Sequence, residues 1–477
     1  MTYSLSRPPL WSAYEAAAAT GGELCQGDED WQVTGISFDT RSLQPGDLFV
    51  ALEGVRDGHD FLKAAAGKGA AAALVSKVPR DVPDNLPLLK VPDPLAALSA
   101  LGAAARDRNF GRLVAVTGSV GKTTTKEMLR AALAPAGVVH AAERSFNNHL
   151  GVPASLASLP DKADFGVFEI GMNHAGEITP LTALVRPHAA IITAIAPAHL
   201  GNFNSVDEIA AAKAEILTGV RPGGTAILPA DSEYFEYLVE QAKAAGIAHI
   251  IPFGSDEKAA KGVQLLSYAG TGSDCSATVR AGGEEYSFRL SSPGRHLAMN
   301  ALTVIASGLA IGVPVAQILH GLETFSAGEG RGAQHVVEIE GGTLTILDEA
   351  YNANPVSMGA ALAVLGGIEP GPEGRRIAVL GEMKELGDTS RDLHAGLAVP
   401  IDEAGVDRVW LAGVDMAALR DRLAAEKVVG WSESASGIAE GLSADLRPGD
   451  VVLFKGSNAS GIGAVLASFL ANHARPE

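Results

Sequence analysis

Apolar and polar positions along this chain fall into blocks of changing length and period. In the first, a short apolar stretch leads into Phe38-Asp39-Thr40-Arg41, and Asp47-Leu48-Phe49-Val50-Ala51-Leu52 reads as a buried strand. Phe61 to Ala73 has the alanine-rich pattern of a helix, and Ala73-Leu74-Val75 that of a second strand. Pro79, Pro83, Pro87, Pro92 and Pro94 then mark edges and turns, and an Ala-rich helix is expected from Pro94 to Arg106. From Leu113 strands and helices alternate. Leu113-Val114-Ala115-Val116 is a strand ending at a Gly-rich loop, Thr124 to Ala132 is the following helix, and Phe165 to Ile170 and Ala189 to Ile195 are further buried strands. Such alternation argues for a mostly parallel sheet. Gly262 to Leu290 differs: short alternating strands around Gly282-Gly283 predict an antiparallel insertion or edge. Near Arg331 a third α/β region begins, with strands predicted at Leu344–Asp348, Arg376–Leu380, Arg408–Leu411 and Val451–Phe454. The expected architecture is α/β in three domains, residues 1–107, 108–327 and 328–477.

Composition narrows the function. At 477 residues the chain is long for one core, and its 47% hydrophobic content fits a globular protein. A formal net charge of −18 lacks the basic footprint of a nucleic-acid binder, so anionic ligands would have to be held by local cations and backbone amides. Cys25 and Cys275 are too far apart in sequence for a metal motif or a disulfide framework. The segment from Met1 to Arg7 has no signal-peptide core, and no apolar run is of membrane-spanning length, so a cytoplasmic protein is expected.

The sharpest local signal is Thr117-Gly118-Ser119-Val120-Gly121-Lys122-Thr123, with Thr124 opening the next helix. Glycines let backbone N–H groups curl around phosphate oxygens, and the helix presents its positive end to the same anion. Lys122 is suited to the terminal phosphates and the Thr123 hydroxyl to Mg²⁺. The usual first glycine of such loops is Val116 here. Glu169, closing the next apolar strand, is well placed for Mg²⁺. His199 follows a third strand, where a loop histidine and a third metal ligand are both open readings. Lys213, in Ala-Lys-Ala-Glu-Ile, reads by spacing as a solvated lysine on an amphipathic helix. Asn147-Asn148-His149 is compatible with turn chemistry, and Asp348-Glu349-Ala350-Tyr351-Asn352-Ala353-Asn354-Pro355 is a polar cluster directly after a strand.

Taken together, the phosphate loop, Glu169 in Glu-Ile-Gly-Met, His199, Lys213, Asn300 in Met-Asn-Ala-Leu and Arg331 in Gly-Arg resemble the Mur ligase family of bacterial cell-wall synthesis, in order and interval, along essentially the whole chain. Three segments, 171–178, 348–357 and 381–387, resemble the branch that adds D-alanyl-D-alanine to UDP-N-acetylmuramoyl-tripeptide. The resemblance implies an N-terminal UDP-sugar domain, a central P-loop ATPase and a C-terminal Rossmann-like domain. It implies ATP and Mg²⁺, with Thr123, Glu169, His199 and a carbamylated Lys213 as metal ligands. Asn300 would contact adenine, Arg331 the phosphates, and Asp348 and Tyr351 ribose and base. Lys122, Lys213, Glu169, His199 and Arg331 become the catalytic set. Asp39, Thr40, Arg41, Asn147, Asn148, His174, Asn352, Asn354 and Ser357 become substrate-binding candidates, with His174 a candidate acceptor of the amine proton. The sequence departs from the family's pattern at Gly201-Asn202-Phe203-Asn204-Ser205 and at Asn458 after Lys455-Gly456-Ser457. A ligase for another amino acid and a nucleotide-regulated P-loop switch are the rival readings. The chain is expected to act as a monomer.

Overall fold

The computed structural model describes residues 8–142, 145–198, 200–270 and 272–473. Besides a two-stranded pairing of Trp11–Ser12 with Gln32–Val33, three sheets follow one another along the chain. The first has five strands in the order Glu23–Gln26, Leu88–Lys90, Ala72–Val75, Asp47–Val50 and Gly35–Ser37, parallel except for the Glu23–Gln26 edge. The helix expected to run to Ala73 is shorter. A 3-10 turn, Gly58–Phe61, leads into Leu62–Gly67, and Gly69 at φ +84 turns the chain into the strand Ala72–Val75.

The second sheet has nine strands. Val139–Ala141, Phe165–Glu169, Arg112–Thr117, Ala189–Ile192, Thr225–Pro229, His249–Gly254 and Val263–Gly270 run parallel in that spatial order. Cys275–Ala281 and Glu284–Leu290 then close it as the antiparallel edge expected from the sequence, hinged at Gly282 and Gly283 with φ +59 and +88. The third sheet orders Ala333–Ile339, Gly342–Glu349, Val451–Lys455, Arg376–Gly381, Arg408–Ala412 and Val428–Ser432, with only the first pair antiparallel.

Helices cover the faces because the parallel strands are apolar on both sides. One core runs from the first sheet into the second: the helix Pro94–Arg108 packs on Gly151–Ala157, and Trp11 Nε1 donates to Ala157 O at 2.9 Å. Gly102 permits that approach, since a Cβ there would sit 3.3 Å from Pro153 O. Among the described residues no helix is long and apolar enough to cross a membrane.

Candidate active site

The phosphate loop forms where the strand Arg112–Thr117 meets the helix Lys122–Leu133. Two of its positions tolerate only glycine. Gly118 has φ +150, and a Cβ on it would lie 1.9 Å from Thr193 Oγ1. Gly121 has φ +84, and its Cβ would lie 2.6 Å from Asn300 Oδ1. Ser119 pins the turn to the neighbouring strand's exit: its N–H donates to Ala194 O at 2.9 Å and its hydroxyl to Ala196 O at 2.8 Å. No side chain caps the helix. Its first N–H groups, at Lys122, Thr123 and Thr124, have no intrahelical acceptor and face outward as an anion cradle. Val116, where such loops usually begin with glycine, is a buried strand residue. Lys122 Nζ donates to Gly118 O at 2.7 Å, curled over the loop. Burial lowers its pKa, the nearby Glu169 opposes that, and Arg331 adds to the lowering.

Glu169 ends the strand Phe165–Glu169, in register with Val116 on the adjacent parallel strand, and is only 4% exposed. Its Oε2 accepts from Thr123 Oγ1 at 2.7 Å, and its Oε1 accepts from Asn147 Nδ2 at 2.8 Å. Ser145 Oγ lies 3.0 Å from Thr123 Oγ1 and accepts from Arg331 Nη2 at 3.2 Å. The Arg331 guanidinium in turn stacks 3.8 Å above the Tyr351 ring. A continuous polar chain therefore links the second and third sheets through their strand ends. Asp348 shapes its far end, accepting from Gly330 N–H at 2.6 Å and Ala350 N–H at 3.2 Å.

These groups line a cavity of about 410 Å³ between the phosphate loop and the loops after Gly342–Glu349 and Val451–Lys455. Asn300, Asn147, Asn148, Asn352, Asn354 and Ser357 share its wall. Four of them are also engaged in local structure, Asn352 Oδ1 by accepting from the Ala353 N–H at 2.9 Å. Asn148 Oδ1 accepts from the Leu150 and Gly151 N–H groups at 3.1 and 2.9 Å. Asn354 caps the helix Pro355–Gly366 in a reciprocal capping box with Ser357.

Lys213 corrects the solvated-lysine reading of its helix. On Val206–Ala214 it is 2% exposed, and burial, reinforced by the charge of Lys122, holds its pKa well below the ordinary lysine value. It does not line the cavity. His199 lies outside the described residues.

Other candidates are placed apart. His174 is 65% exposed, with Nδ1 3.2 Å from Glu177 Oε1, while its neighbours Asn173 and Glu177 reach the cavity. Asp39 and Arg41 form an exposed bidentate pair, with Nη2 to Oδ2 at 2.7 Å, and Thr40 O accepts from Lys68 Nζ at 2.7 Å. Nearby, His59 is buried between Asp57, 2.5 Å from its Nδ1, and the Ser76 N–H, which donates to Nε2 at 3.0 Å.

Sequence reasoning gave no site role to Ser145, His296, Glu349 or Lys455, all on the cavity wall. Lys455 and Glu349 had a readable signal: both are charged and close apolar strands, Val451–Lys455 and Gly342–Glu349, which the sheet pairs in register. Ser145 had none.

Family models match three stretches: "Mur ligase family, catalytic domain" over residues 32–106, "Mur ligase middle domain" over 116–308, and "Mur ligase, glutamate ligase domain" over 334–458. The UDP-N-acetylmuramoyl-tripeptide–D-alanyl-D-alanine ligase of Escherichia coli (strain K12) is 38% identical over 405 residues, 82% of this chain and 83% of that protein. The chain belongs to the Mur ligase family. A crystal structure of MurF from Acinetobacter baumannii matches this Mur ligase with a TM-score of 0.83 at 30% identity, covering 98% of this chain and 100% of that one. MurF ligase from Thermotoga maritima, in complex with ADP, matches with a TM-score of 0.76 at 26% identity, covering 92% and 98%. As a Mur ligase, the protein is an enzyme that forms a C–N bond in peptidoglycan precursor synthesis.

Proposed function

We propose that this Mur ligase uses ATP to join the amine of D-alanyl-D-alanine to the terminal carboxylate of UDP-N-acetylmuramoyl-tripeptide. The observation that carries the reading is the polar chain Asn147–Glu169–Thr123–Ser145–Arg331–Tyr351, which brings two domains to one phosphate loop. A nucleotide switch needs no second domain supplying a cation to the phosphates. The substrates named for the E. coli relative, and ADP in the T. maritima structure, support the choice of reactants.

The donors at the loop fit Mg²⁺: Thr123 Oγ1 and Glu169 Oε2 are buried, hard oxygen atoms 2.7 Å apart. Thr123, Glu169, His199 and a carbamylated Lys213 would hold the ions, which when bound neutralise phosphate charge. Carbamylation needs a neutral amine, and the depressed pKa of Lys213 supplies it. The amine nitrogen bonds to the carbon of CO₂ and releases a proton, turning a buried neutral amine into an anionic ligand.

In the reaction, the tripeptide carboxylate attacks the γ-phosphorus of ATP, giving an acyl phosphate and ADP. The dipeptide amine then attacks the acyl carbon; the amide bond forms, phosphate leaves and the amine's proton passes to a base. Two anions must approach each other in the first step. Lys122, the loop N–H groups and Arg331 reduce that repulsion. Tyr351 and Asn300 hold the nucleoside, and Asp39, Thr40 and Arg41 with the Gly58–Phe61 turn bind the UDP-sugar on the N-terminal domain. Closure of the C-terminal domain keeps water from the acyl phosphate. The enzyme acts as a monomer on a soluble precursor in the cytoplasm.

Phosphate release measured with different acceptors tests the assignment. Stimulation by D-alanyl-D-alanine and not by single amino acids is the expected result; stimulation by a single amino acid alone would assign the chain to another branch.

A further inference from the structure

Among the described residues, two lysines and one arginine line the active-site cavity, Lys122, Lys455 and Arg331; burial lowers the pKa of both lysines, and Glu169 beside Lys122 and Glu349 beside Lys455 oppose it. His296 also lines it, and burial lowers its pKa. Lys122 is tied to the phosphate loop, and Arg331 to Thr123 through Ser145. Lys455 comes from the third sheet, at the carboxyl end of the strand Val451–Lys455, the position where parallel α/β sheets receive ligands. Its side chain is only 2% exposed and its neighbourhood incompletely answers its charge. Nζ has one close acceptor, Asn352 O at 3.0 Å; Glu349 O and Glu349 Oε2 both stand off at 3.4 Å. A close ammonium–carboxylate bond measures roughly 2.7–2.9 Å. The three donors thus meet three acceptors, two of them at long range, and an anion in the cavity can take over one of the two long bonds.

The acceptor dipeptide has two ends. Its amine must stay free to attack an acyl carbon beside the phosphate loop, so the group left to anchor it is its terminal carboxylate. That anchor requires a cation away from the loop, in a site dry enough for one charge pair to count. We infer that Lys455 binds the terminal carboxylate of the acceptor dipeptide and is the residue that makes this site select a free acid at that end. Glu349 acts as a positioning residue, keeping the Lys455 ammonium at the strand end.

The inference rests on the acceptor assignment made above, and the test separates the two. Wild type, Lys455→Met and Lys455→Arg are each assayed for ligated product with D-alanyl-D-alanine and with D-alanyl-D-alaninamide. Wild type is expected to favour the free acid by about tenfold to a hundredfold in kcat/KM, the range of one charge-assisted hydrogen bond. Lys455→Met should lose that preference, with the KM for ATP changed less than about twofold, and Lys455→Arg should recover part of it. Wild type that uses the amide as well as the acid overturns the inference whether or not the variants fold. So does a Lys455→Met enzyme that keeps the preference. Absence of product from wild type with D-alanyl-D-alanine would instead overturn the acceptor assignment itself.

Discussion

The Thr123 hydroxyl donates to the Glu169 carboxylate across 2.7 Å, tying the first turn of one helix to the end of the adjacent strand. The bond holds two hard oxygen donors together at the phosphate loop. Glu169→Gln keeps an oxygen that can accept from Thr123 but removes the charge. It should lower kcat by about a hundredfold to a thousandfold while the fold persists. Phosphate release titrated with Mg²⁺ checks this; a variant that saturates at the wild-type Mg²⁺ concentration and rate would remove Glu169 from the metal set.

Lys213 is a buried amine for which burial disfavours the charged form. Replacing it with methionine leaves no unpaired charge, so Lys213→Met should fold with an unfolding temperature close to wild type. Its activity should nevertheless fall by about a hundredfold or more, as expected when a charge-stabilising group is lost. In the wild type, ¹³C-bicarbonate should give a carbamate resonance that Lys213→Met lacks. A fully active methionine variant would return Lys213 to a packing role.

Gly118 leaves no room for a side chain, because a Cβ would meet Thr193 Oγ1 at 1.9 Å. Gly118→Ala must displace Thr193, whose hydroxyl donates to Val120 O at 2.5 Å on the same loop. ATP affinity should drop at least about tenfold, with stability lowered by about 1–3 kcal/mol from the strain. Calorimetric ATP binding and thermal unfolding read the two effects separately.

His140 gives a pH signature of the fold. Burial lowers its pKa from 6.5 to about 4, against a hydrogen bond from Nε2 to Ser155 O at 2.8 Å that works the other way. Above pH 6.5 folded and unfolded chains both carry a neutral ring. As the pH falls from 6.5 towards 4 the unfolded chain takes up the proton and the folded one resists it, so stability is lost across that window. Denaturant midpoints should fall through it, and His140→Gln should flatten the slope.

The phosphate loop was legible in sequence because its chemistry is local: Gly118, Gly121, Lys122 and Thr123 act through their own backbone and adjacent helix. Glu169 was legible because it ends an apolar strand, and a parallel sheet brings such ends together. Lys213 was not readable from periodicity. Its helix, Val206–Ala214, carries Asp207 and Glu208 in the first turn and alanines elsewhere, and small alanines do not announce which face is buried. Ser145 gained its place between Thr123 and Arg331 only from the approach of two domains. Asn354 and Ser357 looked like ligand contacts in sequence, yet their side chains also close a helix cap, the local use that Asn before Pro favours. Helical period alone carried the expected helix on to Ala73, whereas Gly69 ends it earlier.

Ligation of the dipeptide is read most directly from the product. Purified protein is incubated with UDP-N-acetylmuramoyl-tripeptide, ATP, Mg²⁺ and D-alanyl-D-alanine, and the nucleotide-linked species is weighed by mass spectrometry. The expected result is tripeptide heavier by one dipeptide less one water, with one ADP and one phosphate formed per product. Unchanged tripeptide beside hydrolysed ATP would contradict it.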